Sequence, residues 1–286
     1  MTALRVRPPA VAGSFYPADP SELRAELARL LAGGPGPGGG GGLGHDGPPE
    51  QDGGAEPWPP PKAIVAPHAG YVYSGPVAAT AWAALLPLRG RVNRVVLLGP
   101  SHRVALEGMA VPTADVLETP LGPVRGDTAG CRTVLDVPGV VEWDAPHAQE
   151  HSLEVHLPFI QEVLGDVAVL AIVVGSAPAS EVADVLDAVW GGPETVIVVS
   201  TDLSHYHDHA TATAVDRRTA SAIEAGRIED IGPHDACGAY PLRGLLVAAQ
   251  RRGLSARTID LRTSGDTAGD HQRVVGYGAF CVGACP

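Results

Sequence analysis

Short apolar, β-branched runs alternate with helix-periodic segments along nearly the whole chain, and this alternation limits the fold more than any other feature. Runs at 63–66, 94–98, 167–174, 195–200, 258–261 and 274–282 read as buried strands. Helical patterns fall between them, at 77–86, 153–164, 180–190, 211–225 and 242–252, with a further short helix over 21–31. Continuous apolar strands separated by such helices indicate an α/β protein, its largely parallel or mixed central sheet covered by helices on both faces. Gly276 and Gly278 interrupt the last run. That pattern fits an antiparallel edge strand, or a central strand that another backbone approaches closely.

Between residues 33 and 61 the pattern stops. Glycines in a row give way to proline and acidic residues, a composition that buries too little apolar area to offset its ordering entropy. A disordered Gly/Pro-rich insertion within a single domain over 1–286 is the simplest organisation.

Two strand ends carry histidine in tight, small-residue turns. His68 lies in Ala66-Pro67-His68-Ala69-Gly70-Tyr71, and His102 in Gly99-Pro100-Ser101-His102. Ligands of open α/β sheets collect beyond the carboxyl ends of the strands, so two imidazoles delivered there from neighbouring strands point to a metal or a catalytic base. A third run, 195–200, continues into Thr201-Asp202-Leu203-Ser204-His205. Asp202 could simply cap a following helix, but a third polar delivery to one sheet edge favours a site. In His151-Ser152-Leu153-Glu154-Val155-His156, His151 and Glu154 would share a helix face and His156 would point elsewhere. The spacing differs from that of zinc proteases; it fits substrate contact by His151 and Glu154 or a helix-start ion pair. Cys237, in His234-Asp235-Ala236-Cys237-Gly238, precedes a long helix, where a thiolate would be favoured. His207 and His209 read as solvated, and His45, His147 and His271 show no role.

A formal net charge of -12 argues against nucleic-acid and anionic-membrane partners. No apolar run approaches the ~20 residues that span a bilayer, and the amino terminus lacks a secretory pattern. A cytoplasmic location is expected, with the cysteines reduced.

The motifs above, with Ala10-Val11-Ala12-Gly13-Ser14-Phe15-Tyr16-Pro17 and Glu150-His151-Ser152-Leu153-Glu154-Val155-His156-Leu157-Pro158, arrive in an order that resembles the Memo family. Its prokaryotic members are called AmmeMemoRadiSam system protein B. The family is similar in fold to class III extradiol dioxygenases, which use non-haem Fe(II). The resemblance implies metal ligation by His68, His102 and Cys237, an acid/base role for His205 and a pocket lined by Phe15, Tyr73 and Asp202. Cysteine replaces a carboxylate ligand there, which softens the site and makes copper or zinc competitive with iron. It also places an oxidisable sulfur at the centre.

The expectation is therefore a non-haem metal site, iron or copper, in an oxidoreductase-like protein of unnamed substrate. The main alternative is a binding module that holds a small molecule or peptide in the same pocket. A metal-free hydrolase, with Cys237 as nucleophile and His205 oriented by Asp202, lacks a nucleophile elbow. The family name further implies a radical-SAM pathway partner.

Overall fold

The computed structural model describes residues 4–33 and 60–283. At its centre the strands Ala63–Ala66, Thr195–Ser200, Arg94–Pro100 and Ala168–Val174 lie side by side in that order, all parallel. Nearly every residue in them is buried, because helices cover both faces; that is why the sequence shows continuous apolar runs. Successive side chains still divide between the faces, as strand geometry requires. Ile64, Val95, Leu97 and Val198 join a core formed with the helices Pro20–Gly33, Tyr71–Ala83 and Leu157–Val163. Val65, Val96, Leu98 and Val199 pack on the other side against Ala179–Val189, His209–Glu224 and Ala239–Gln250. Each large aliphatic side chain so buried contributes about 1.5–3 kcal/mol.

The flanks are antiparallel, so the nine-stranded sheet is mixed. Val274–Gly283 pairs antiparallel with Ala63–Ala66 and also with Ser255–Thr263 and His205–His207. It is thus antiparallel but internal. A Cβ at Gly276 would lie 1.9 Å from Asp216 Oδ2, so this glycine permits a close approach by the helix that carries Asp216. On the far side Met109–Val111 pairs with Ala168–Val174 and with Val140–Glu142. A separate three-stranded sheet joins Val6–Arg7, Val116–Thr119 and Gly122–Arg125.

Two helices depart from expectation, each because of proline. The helix expected over 77–86 begins at Tyr71 and contains Pro76; so near the helix start, the ring forfeits only the bond to the Val72 carbonyl. The helix expected over 153–164 is two pieces, His151–Glu154 and Leu157–Val163. Pro158 has no N–H to give the Glu154 carbonyl, and the chain breaks there. Among the described residues no helix is long and apolar enough to cross a membrane. The 33–61 insertion, His45 and Cys285 lie almost wholly or wholly outside the described residues.

Candidate metal centre

Beyond the carboxyl ends of the central strands, Ala66 leads into Pro67-His68, Pro100 into Ser101-His102, and Ser200 into Thr201-Asp202. The strand ending at Ser200 lies between the other two. The two histidines therefore come from next-but-one strands, where the sequence suggested neighbours. Their ring centroids are nevertheless 5.2 Å apart. His151 completes the group from the start of its short helix, which Ser152 fastens by donating from Oγ to the Pro100 carbonyl at 2.9 Å. The His151 ring stacks on His102 at 4.7 Å and stands 5.4 Å from His68. Each of the three offers a ligand atom within 4.8 Å of the other two. The sequence placed His151 at a substrate; the structure puts it among the imidazoles.

Hydrogen bonds prepare these rings. Glu150 accepts the His102 backbone N–H at 2.6 Å on one oxygen and meets His102 Nδ1 at 2.9 Å with the other. A carboxylate only accepts, so Nδ1 carries the proton and Nε2 is the nitrogen left to face an ion; this is the usual outer-shell arrangement of a metal-ligating histidine. Burial alone would raise the Glu150 carboxyl, but the His102 side chain and backbone and the Ser152 N–H hold it down at about 2. His151 Nδ1 is buried with no hydrogen-bond partner; Glu150 Oε1 is 3.3 Å away, off the line of a good bond. A buried nitrogen of this kind is normally satisfied by an ion or a water molecule. Burial lowers His68 well below its ordinary value, reinforced by the surrounding imidazoles His102, His151, His156 and His205. Burial likewise brings His151 to about 4. Both rings are neutral near pH 7, the form that ligates metals.

Cys237 approaches from the turn before Ala239–Gln250. Its Sγ lies 3.3 Å from His68 Nε2 and accepts the Asp202 backbone N–H at 3.2 Å. Burial and then the Asp202 charge push the thiol up to about 12, so without a cation it stays protonated. This also removes the thiolate that the hydrolase reading needs. A Cβ on Gly238 would meet the Ser200 carbonyl at 2.6 Å and Thr201 Cβ at 2.7 Å, so only glycine lets the Cys237 turn come this close. Gly238→Ala is expected to displace Cys237 from His68 and to cost about 1–3 kcal/mol, read as a lower thermal midpoint.

Asp202 braces the His68 turn, accepting the His68 N–H at 2.7 Å; burial pushes its carboxyl up to about 7. His205 is half-buried on the same loop, and burial lowers its ring. Phe15 packs against His151 with the rings tilted and their centroids 4.7 Å apart, and Tyr73 is exposed on the first turn after His68. Glu154 needs correction. Its oxygens accept from Arg7 Nη1 at 2.6 Å, the Ala10 N–H at 2.8 Å, the Val11 N–H at 2.9 Å and the Tyr16 hydroxyl at 2.6 Å. Four donors saturate it, leaving none of it for a substrate. His151 and Glu154 do share a face, but that face holds the amino-terminal segment that presents Phe15. His209, expected to be solvated, pairs with Asp266 at 2.7 Å and stacks on His271 at 4.5 Å.

Known proteins resemble this chain over almost its whole length. The family model described as Memo-like protein matches residues 7–281. A MEMO1 family protein of Methanopyrus kandleri is 38% identical over 288 residues, covering 96% of this chain and 98% of its own length. Another, from Methanothermobacter thermautotrophicus, is 33% identical over 289 residues, covering 95% and 98%. Among solved structures, an uncharacterized protein from Escherichia coli K12 aligns with a TM-score of 0.48 at 14% identity, over 76% of this chain and 98% of that one. That likeness is too remote to carry an inference.

Proposed function

This chain belongs to the Memo-like family, and we propose that it acts through a redox-active non-haem metal ion, iron or copper, held at the carboxyl edge of the main sheet. The observation that carries the reading is the convergence of three imidazoles, one oriented by its bond to Glu150 and one with an unpartnered buried nitrogen. His68 and His102 would hold the ion, with Cys237 as the sulfur donor and His151 as a further nitrogen. A mixed imidazole and thiolate set suits copper, iron or zinc, and of these copper and iron bring redox chemistry. When bound, the ion would supply one-electron or Lewis-acid chemistry beside the substrate.

The remaining residues would serve binding and proton transfer. Half-buried His205 holds a neutral ring that can take a proton from a substrate. Asp202 fixes the turn on which His68 stands. Phe15, packed on His151, and the exposed Tyr73 would offer flat apolar surface to orient a small molecule.

Metal analysis of anaerobically purified protein should find close to one equivalent of iron or copper. Titration calorimetry at pH 7, repeated in buffers of different ionisation enthalpy, should show one proton released per ion. The Cys237 thiol, pushed up to about 12, must lose its proton to ligate. Binding without proton release would take Cys237 out of the ligand set and leave the three imidazoles. Failure to bind either metal would overturn the reading.

A further inference from the structure

We propose that Trp82, His156 and Ser200 form a hydrogen-bond chain of fixed direction that locks the His68 proton on Nδ1 and aims the Nε2 lone pair into the metal centre. The direction follows from groups that can play only one part. An indole N–H only donates, and Trp82 Nε1 gives its proton to His156 Nδ1 at 3.3 Å. His156 is fully buried, and burial alone brings its ring to about 3, so it is neutral. With Nδ1 accepting, its one proton is on Nε2, which donates to Ser200 Oγ at 3.0 Å.

The far end is fixed equally firmly. Ser200 has one hydroxyl proton, and it goes to the Ser152 carbonyl at 2.6 Å, which can only accept. Towards His68 Nδ1, 2.6 Å away, Ser200 Oγ has nothing left to donate. His68 Nδ1 must therefore carry the proton. Its Nε2, 3.3 Å from Cys237 Sγ, is left bare. Ser200 Oγ then makes one donated and two accepted bonds, the full capacity of a hydroxyl.

Trp82 and His156 lie beneath the sheet edge and belong to no other part of the proposed chemistry. Trp82 stacks on Phe159, in the core under the helix that follows the Pro158 break. That break explains His156's position: the new helix begins after it, so the residue turns inward while His151 faces the other imidazoles. The three residues are positioning residues, acting on the ion only through His68.

The proton position belongs to the metal-free protein, and only its consequence for affinity rests on the metal reading above. Long-range nitrogen–proton NMR on histidine-labelled, chelator-treated protein at pH 7 reads it directly, with the His68 signals assigned by their loss in His68→Gln. The expected result is a protonated Nδ1 and an unprotonated Nε2. In Ser200→Ala, Nδ1 loses its acceptor and the proton should move to Nε2, facing Cys237 Sγ. Trp82→Phe keeps an aromatic ring but frees His156 to reverse, so His68 should become a mixture of both forms. Folding of each variant is checked by its backbone amide spectrum. A proton on Nε2 in the parent protein, or an Nδ1 proton unmoved in whichever of the two variants folds, would overturn the proposal. Where metal binds, the same variants should lose about 10- to 100-fold in affinity. A protein that binds no metal but shows the expected proton shift would defeat the metal reading and leave the locked ring standing.

Discussion

Alanine at His68 or at His102 is expected to lower metal affinity by about 10²- to 10³-fold. A four-donor structural site is worth about 10–16 kcal/mol in all, so one donor accounts for roughly 3–4 kcal/mol, which is that loss in fold terms. The two positions test the site in different ways. His68 is buried and tied to Ser200 and Asp202, so His68→Ala removes a ligand and also strips partners from the strand ends. His102 is exposed, and its carboxylate partner Glu150 keeps the Ser152 N–H and the backbone N–H of residue 102. His102→Ala, which costs Glu150 one of its three bonds, should therefore lower the thermal midpoint less than His68→Ala while affinity collapses. Competition with a chromogenic chelator measures both. Affinity should fall steadily as pH drops below 7, because each ion bound displaces the Cys237 proton; the buried His68 and His151 rings, already lowered, His151 to about 4, add to the loss only in stronger acid. Near-stoichiometric metal persisting in both variants would place the ion elsewhere.

The sheet and the strand-end histidines were legible because their information is local. Ala63–Ala66 and Arg94–Pro100 are each a continuous apolar run that ends in a proline-containing turn, and such a run can only be a buried strand in a fold of this kind. His151 was legible as a residue but not as a member of the cluster. Its place depends on Ser152 reaching the Pro100 carbonyl, a contact between segments about fifty positions apart. The role of His156 was hidden for the same reason, although Pro158 marked the helix break that turns it inward. The strands Val6–Arg7, Met109–Val111 and Val140–Glu142 were missed because two or three residues carry no detectable alternation. Helical spacing correctly put His151 and Glu154 on one face. It could not say that the face meets residues 7–16.

That contact predicts the largest stability effect of a single substitution. Glu154→Ala is expected to destabilise the protein by about 3–5 kcal/mol. The carboxylate is buried, and so is most of Arg7, whose side chain is only 10% exposed. Breaking a buried pair costs more than the pair contributes, since the surviving charge is left in a medium that solvates it poorly. Arg7 would keep the His147 and Glu150 carbonyls, which satisfy its N–H groups but do not neutralise it. The Ala10 and Val11 N–H groups and the Tyr16 hydroxyl would lose their acceptor at the same time. At about 2–4 °C per kcal/mol for a chain of this size, the thermal midpoint should fall by roughly 6–20 °C. Glu154→Gln keeps the shape and one acceptor oxygen, so it should recover part of the loss but not the charge pairing. The effect should also reach the metal centre, because the segment that Glu154 holds carries Phe15 onto His151. A midpoint within 2 °C of the parent protein would mean that this segment is held by something other than Glu154, and the coupling of amino terminus to metal centre would have to be abandoned.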